Sequence, residues 1–165
     1  MATDYNSIKT KIVKRLVETP FRHPYQFRIE VKGYPQDDFD LLIKEISYGP
    51  DEIDVEPIKV GLKVLTYPVG VQPVTISMVM RDHEDQRVSK WFESQIKKMV
   101  NADGTVNLPD KYKIEIKRFS IISTGNGEVE TDKWEVIPTQ MGDVTESRDG
   151  EGLLEFPIVF IQFRS

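Results

Sequence analysis

The side chains best suited to acid–base or metal chemistry are two histidines, His23 and His83. His83 is followed by Glu84 and Asp85, so three residues of the right types are adjacent. Three consecutive residues cannot all point into one site, either at the end of a strand or in the first turn of a helix. The H-E-x-x-H zinc pattern also fails, because Arg87 stands where the second histidine is needed. The trio therefore favours a helix start over a ligand set.

The remaining short motifs indicate turns. Residues 101–104, Asn-Ala-Asp-Gly, lack the alternating acids and the closing glutamate of a calcium loop. Residues 124–128, Thr-Gly-Asn-Gly-Glu, predict a tight hairpin turn that is too short to hold a phosphate. The chain has no cysteine, which excludes thiol nucleophiles, disulfides and cysteine zinc sites. We therefore predict no enzyme activity, no metal and no cofactor.

Composition points to one domain that does not grip nucleic acid. The 165 residues include 27 acidic and 22 basic side chains, for a net charge of −5. A protein that wraps nucleic acid usually has a concentrated basic footprint, which this balance does not suggest. The sequence has no run of about 18 apolar residues, and residues 1–10 lack the apolar core of a signal peptide. We expect a soluble protein made in the cytosol, with no membrane partner.

An amphipathic helix is predicted over residues 4–19. Ile8, Ile12 and Leu16 recur every four residues, and Pro20 ends the pattern. We divide the chain into an N-terminal helical arm, residues 1–20, and a β domain, residues 21–165. The arm has two interpretations at this stage: it docks on a partner, or it is a frayed terminus that covers one edge of the sheet.

The rest of the chain reads mainly as strands. Alternating apolar and polar residues predict strands near 25–32, 39–48, 74–81, 112–122, 129–136 and 153–163. Arg118 falls on the same face as Ile114 and Ile116. The strand at 153–163 is apolar at nearly every position, which predicts burial on both sides. Residues 137–139 are expected to end or bulge the strand before them, because they include Pro138.

One helix is expected inside this β domain, at about residues 85–101. Val88, Trp91, Phe92 and Ile96 mark its apolar side. Residues 49–72 are punctuated by prolines and glycines and predict a long excursion with one or two weak strands. With no regular alternation of strands and helices, the fold class is mainly β: an antiparallel β-sandwich or barrel with one packed helix and the N-terminal arm.

Several segments, in order, resemble the tail tube family of T4-type contractile phages over about residues 20–163. The first is Pro-Tyr-Gln-Phe-Arg-Ile-Glu-Val at 24–31, followed by Tyr-Pro-Val-Gly at 67–70 and Met-Arg-Asp at 80–82. The helix with Trp91 and Phe92 comes next. Residues 134–143, Trp-Glu-Val-Ile-Pro-Thr-Gln-Met-Gly-Asp, and 155–160, Glu-Phe-Pro-Ile-Val-Phe, complete the series.

The resemblance implies a structural role. Members of that family fold as a β-sandwich with a flanking helix, and six copies form a ring. Rings stack into a tube around a channel that viral DNA crosses without specific binding. The implied partners are other copies of the chain, the tail sheath, the tape measure and the baseplate, and the implied location is the tail of a virion assembled in the host cytoplasm. Two related alternatives are a baseplate ring that initiates the tube and a tube of type VI secretion.

A third interpretation is an unrelated β-sandwich that binds a ligand or acts as a small enzyme, which requires a pocket with convergent polar groups. If the tube interpretation holds, the interface residues are expected in the two-sided strands and in the excursion, because open sheet edges and apolar surfaces pair readily with other chains. The candidates are Phe39, Leu41, Ile43, Pro57, Leu62, Val64, Pro68, Phe156, Val159 and Ile161.

Overall fold

The computed structural model describes residues 5–49, 51–122 and 127–164. Residues 124–126 of the predicted tight turn at 124–128 lie outside the described residues. Within these ranges, three α-helices and eight strands follow the order α1 (Tyr5–Glu18), β1 (Phe27–Val31), α2 (Phe39–Leu42), β2 (Ile43–Tyr48), β3 (Glu52–Val60), β4 (Lys63–Gln72), β5 (Thr75–Arg81), α3 (Arg87–Lys97), β6 (Ile114–Ile122), β7 (Gly127–Met141) and β8 (Glu155–Gln162), with a short 3₁₀ helix at Pro109–Lys111.

Six strands form one antiparallel sheet in the order β1-β6-β7-β8-β5-β2. The sheet folds back on itself, because the ring of Tyr48 on the last strand lies 5.2 Å from the ring of Trp134 on β7. Tyr48 also lies under the guanidinium of Arg118 on β6, at 4.9 Å from the ring centre. Strands at opposite ends of the order therefore face each other across one core. The predicted class, a mainly antiparallel sandwich or barrel with a packed helix, is confirmed.

The core follows the predicted period of two. Ile76, Met78 and Met80 of β5 lie beside Phe156, Ile158 and Phe160 of β8, and all six are buried. The opposite face of β8 corrects the prediction of two-sided burial, because Pro157 is exposed and Val159 and Ile161 are only half-buried. The side chains of β8 therefore alternate between the core and the outer face of the sheet. Apolar residues occupy both faces, although only one face is buried.

Helix α3 closes the core, beginning two residues later and ending four residues earlier than expected. Gln86 has a left-handed backbone (φ 57°), so the helix begins at Arg87. The carboxylate of Asp82 accepts the N–H groups of Val88 (3.1 Å) and Ser89 (3.3 Å), which satisfies donors of the first turn. The residues around His83 thus form a helix start, as predicted: Asp82 accepts these two bonds, and Asp85 of the trio accepts the N–H of Arg87 at 3.2 Å. The buried face consists of Val88, Trp91, Phe92 and Gln95.

The prediction of one strand over residues 39–48 is wrong, because these residues form a four-residue helix followed by β2. Phe39 is buried and packs edge-on against Tyr34 (5.0 Å) and Trp91 (5.6 Å). The side chain of Asp40 accepts the backbone N–H of Ile29 on β1, at 2.7 Å. These two contacts hold one helical turn between the first and last strands of the sheet.

Residues 49–72 form the predicted excursion with two strands, but these strands are long and continuous rather than weak. Strands β3 and β4 pair at nine positions from Glu52↔Gln72 to Val60↔Lys63, with a bulge between Asp54 and Val55. Every residue of both strands is exposed. The segment is a two-stranded ribbon, called here the hairpin, that projects from the domain.

The predicted strand boundary near residue 137 is a bulge rather than an end. Strand β7 continues to Met141, and its pairing with β8 shifts between Pro138 and Gln140. Its pairing with β6 matches the predicted hairpin partner, and Trp134 is buried as an anchor. The long β7 therefore joins both halves of the sheet.

Candidate assembly surfaces

The hairpin carries ten of the exposed large hydrophobic residues of the described chain. Its strands alternate, so cross-strand partners define two faces. One, called the Val64 face, carries Ile53, Val55, Pro57 and Lys59 of β3 beside Val71, Pro68, Thr66 and Val64 of β4. The other, called the Glu56 face, carries Glu52, Asp54, Glu56, Ile58 and Val60 beside Gln72, Gly70, Tyr67, Leu65 and Lys63.

The ribbon has apolar side chains on both faces, which is more than an isolated hairpin needs for its own stability. Two-stranded hairpins are marginally stable alone, and large exposed apolar patches mark sites of protein association. Val64 is 62% exposed and Leu65 is 58% exposed, although they lie on opposite faces. The ribbon therefore presents apolar side chains on both faces, as surfaces that associate with other chains often do.

The two edges of the six-stranded sheet differ. On β1 the middle outward N–H, that of Ile29, is already bonded to Asp40 of the same chain. On β2 the described residues pair with β5 along one side only. An unpaired strand edge is a template for another strand. Backbone pairing with a second chain is thus more open at β2 and at both edges of the hairpin than at β1.

A smaller apolar strip lies on the outer face of the sheet. Ile161 of β8 pairs with Ile137 of β7, and Pro157 pairs with Val79 of β5. Val159 lies between them, and all but Pro157 are half-buried. This strip is flat and partly shielded, so it offers less uncovered apolar area than the hairpin.

The ten predicted interface residues separate into three groups and one isolated residue, Leu41. The side chains of Phe39, Ile43 and Phe156 are buried in the core, which removes them from any exposed surface of the subunit. Pro57, Val64 and Pro68 come together on one hairpin face, and Leu62 lies in the hairpin turn, fully exposed. The outer strip holds Val159 and Ile161, and Leu41 is exposed on α2.

The hairpin exposes more apolar residues than the four that were predicted as interface residues. The apolar pieces of β3 and β4 were visible in the sequence, but the prolines suggested a loop, and the alternation was not followed across it. The additional exposed apolar residues of the hairpin are Ile53, Val55, Ile58, Val60, Leu65, Tyr67, Val69 and Val71.

The two histidines do not form a site. His23 stacks on Tyr25 with ring centres 5.3 Å apart, and Nδ1 of His83 lies 3.2 Å from Asp85 in the turn before α3. Within the described ranges, no group of three or more histidine, aspartate or glutamate side chains is arranged to hold a metal ion. The described helices include none that is long and apolar enough to cross a membrane.

One surface cavity, of about 790 Å³, lies between β1, α2 and β6. Four of its charged groups form ion pairs: Arg28 with Glu30 at 2.6 Å, and Lys117 with Glu115 at 3.8 Å. A hydrogen bond from Lys133 holds the pKa of Glu115 below its ordinary value. A general acid at neutral pH needs the opposite shift, so Glu115 does not suit that role.

Comparison with known proteins gives a structural likeness only. No protein-family model matches the sequence, and no curated protein sequence matches it. The fold is similar to a chain in the sheath–tube complex of PVC, an extracellular contractile injection system, in the extended state. The TM-score is 0.62 at 16% identity, over 92% of this chain and 93% of that one.

Two further solved structures are similar to the same extent. A chain of the anti-feeding prophage cap, the tube-terminating cap, gives a TM-score of 0.64 at 13% identity, over 88% of this chain and 89% of that one. A chain of the PVC sheath/tube terminator gives 0.63 at 16% identity, over 90% and 96%. Identities this low show a shared fold and not a shared role. The protein therefore has the fold found in chains of contractile injection particles.

Proposed function

We propose that this chain is a structural, non-enzymatic subunit of a contractile tail or a related injection device, in which copies form hexameric rings that stack around a channel. The observation that carries the proposal is the exposed two-faced hairpin on a domain that shares its fold with contractile-particle chains along nearly its whole length. The hairpin requires a partner, and the fold indicates which class of assembly supplies one.

The contact surfaces suit a ring of like copies. A cyclic contact joins two different surfaces of the same chain, and rotation then closes the ring. The open edge of β2, the hairpin and the outer strip of β8 are three different surfaces of one subunit. We assign the Val64 face to a contact between copies, with Pro57, Leu62, Val64 and Pro68 at its centre.

The partners outside the ring follow from the same role. A tube inside a contractile particle contacts the sheath around it, the baseplate at one end and the tape measure within. The net charge of −5 suits a channel that DNA crosses without binding, because like charges repel. The particle is the tail of a virion assembled in a host cytoplasm, or a device that resembles one, as in type VI secretion.

A second role within the same assembly is a single ring at one end of the tube, either at the baseplate or at the terminus. The likeness to cap and terminator structures, with TM-scores of 0.64 and 0.63, equals the likeness to the sheath–tube complex, at 0.62. The two roles differ in product, since a repeated subunit polymerises into tubes whereas an end subunit stops at one ring.

The hairpin assignment is tested with Val64→Asp. A carboxylate in a desolvated interface is costly, so sedimentation velocity is expected to show loss of assemblies and a monomer with unchanged circular dichroism. The matched control is Val106→Asp, because Val106 is similarly exposed (70%) and lies outside the hairpin. Assembly that survives Val64→Asp as well as it survives Val106→Asp would remove the Val64 face from the interface.

A further inference from the structure

Helix α1 exposes an apolar row that its own chain does not cover. Ile8, Ile12 and Leu16 follow one another at four-residue intervals along a single side of the helix. Each is at least 40% exposed, and every described side chain from Ser7 to Glu18 is exposed as well. In a short helix, such a stripe normally supplies stability by packing against another element.

A basic row flanks this apolar row. Lys11 and Arg15 are also four residues apart and lie beside Ile8 and Ile12 on the helix surface. Neither side chain forms an ion pair with any described residue. Residues 1–24 hold five basic and two acidic side chains, which leaves 17 basic and 25 acidic for the rest of the chain. The arm is thus cationic and the domain that bears it is anionic.

The Glu56 face of the hairpin has the complementary pattern. Glu52, Asp54 and Glu56 follow at two-residue intervals on β3, and Ile58 and Val60 continue the same face toward the hairpin turn. Among described residues, the three acids form no ion pair, and Asp54 accepts hydrogen bonds only from the amide of Gln72, at 3.0 Å. The face therefore has an acidic half next to an apolar half, and its one basic residue, Lys63, lies at the turn end beside Val60.

We infer that α1 of one copy docks on the Glu56 face of the hairpin of a second copy. The row formed by Ile8, Ile12 and Leu16 covers Ile58, Leu65 and Tyr67, and the row of Lys11 and Arg15 meets Asp54 and Glu56. The spacings agree, because four helical residues rise about 6 Å and two strand residues about 6.6 Å.

The dimensions and the connectivity favour a second copy as the occupant. Fourteen helical residues span about 21 Å, which fits within the roughly 30 Å of a nine-residue strand. Helix α1 leads into β1, at one end of the sheet order, whereas the hairpin connects β2 to β5 at the other end. Within one chain, both surfaces are uncovered. A contact between two such different surfaces is head-to-tail, as ring closure or ring stacking requires.

This inference rests on the proposed function, which brings a second copy into reach, and the test separates the two. The chain has no native cysteine, so single cysteines report on single positions. Arg15→Cys and a tagged Glu56→Cys variant are mixed and treated with a short bis-maleimide linker. Because each variant has one thiol, a product of combined mass reports a contact between two copies.

The matched control replaces Arg15→Cys by Lys14→Cys. Lys14 is adjacent and basic, but it lies on the side of the helix opposite the apolar row. We expect at least fivefold more cross-linked heterodimer with Arg15→Cys than with Lys14→Cys. Equal yields from the two variants would overturn the inference, and rings seen under the same conditions would leave the proposed function standing.

Two further outcomes complete the design. A single chain carrying both Arg15→Cys and Glu56→Cys that cross-links internally at high dilution would show docking on its own hairpin and overturn the second-copy assignment.

Charge reversal provides an independent readout: Arg15→Glu and Glu56→Arg are each expected to lower the heterodimer yield of an Ile12→Cys and Leu65→Cys pair severalfold. When Arg15→Glu is in one partner and Glu56→Arg is in the other, the heterodimer yield is expected to return. Failure of this rescue would contradict the proposed pairing of charges.

Discussion

Arg118 and Asp132 form a cross-strand ion pair at the point where β6 bulges against β7. The guanidinium Nε donates to Oδ2 of Asp132 at 2.7 Å, and the Arg118 residue is only 2% exposed. The same guanidinium lies over the ring of Tyr48 on β2. One buried cation therefore ties together three strands from both halves of the folded sheet.

Removal of the anion is expected to cost more than removal of the cation. Asp132→Ala leaves the buried charge of Arg118 uncompensated, for which we expect about 3–5 kcal/mol of lost stability. Arg118→Met keeps an apolar side chain in the core and leaves Asp132, whose side chain is 30% exposed, in reach of water. Urea unfolding of both variants measures the difference, and a larger loss for Arg118→Met would contradict this account of the pair.

Close packing against Pro157 leaves no room for a side chain at Gly142. A Cβ at this residue would lie 2.3 Å from Cγ of Pro157, while its N–H donates to the carbonyl of Pro157 at 2.7 Å. We expect Gly142→Ala to cost about 1–3 kcal/mol, because the strands must separate to admit the methyl group. Thermal unfolding measures this. Gly49→Ala is the control, since a Cβ at Gly49 has no neighbour within 4 Å, and equal effects would show that packing is not the cause.

Gln86 adopts a backbone conformation that disfavours any residue with a Cβ. Its φ is 57°, and the left-handed region costs a non-glycine residue about 1–2 kcal/mol. Gln86→Gly removes that cost but adds chain entropy to the unfolded state, so we expect a net gain of about 0.5–1 kcal/mol. Gln86→Ala keeps the Cβ and is expected to give no gain. A gain of the same size in both variants would assign the effect to the lost amide.

Acid sensitivity is expected at the turn before α3. The hydrogen bond from Arg87 lowers the pKa of Asp85 to about 2, against an ordinary value of 3.8. Since the folded-state pKa is the lower one, the pair stabilises the fold above about pH 4, and this contribution is lost as the pH falls toward 2. We expect Asp85→Asn to flatten the pH dependence of the unfolding midpoint between pH 4 and 2. An unchanged slope would show that the pair has no influence on folding.

The regular strands and α3 could be predicted because each repeats a simple period over many residues. The pattern even placed Arg118 on the inward face with Ile114 and Ile116, although its partner Asp132 was not foreseen. Pairs between strands depend on register, and the bulge beside Arg118 sets that register. No single-strand pattern contains this information.

The two errors of local structure have different causes. Helix α2 spans one turn, too short for a helical period to appear, and it is fixed by distant contacts of Phe39 with Trp91 and of Asp40 with Ile29. In the hairpin, the prolines concealed the length of two strands that were predicted to be weak. Each strand of a two-stranded ribbon has one unpaired edge, so Pro57 and Pro68 are tolerated there, as on edge strands generally.

Which surfaces are uncovered could not be predicted from the sequence. Phe39, Ile43 and Phe156 are as apolar as Val64, yet the fold buries the first three and exposes the last. Burial depends on which faces the folded sheet encloses, and this is a property of the whole topology. The hairpin is a candidate assembly surface because its strands leave the core, and the sequence pattern does not show this.

The most direct test of the central claim is negative-stain electron microscopy of the purified protein across a concentration series. The account predicts hollow rings with sixfold symmetry that become more abundant with concentration. Long tubes would identify a repeated subunit, and single rings an end subunit. A protein that stays monomeric at every concentration, and that also fails to join rings when mixed with its sheath and baseplate partners, would contradict the assignment to a ring-forming particle.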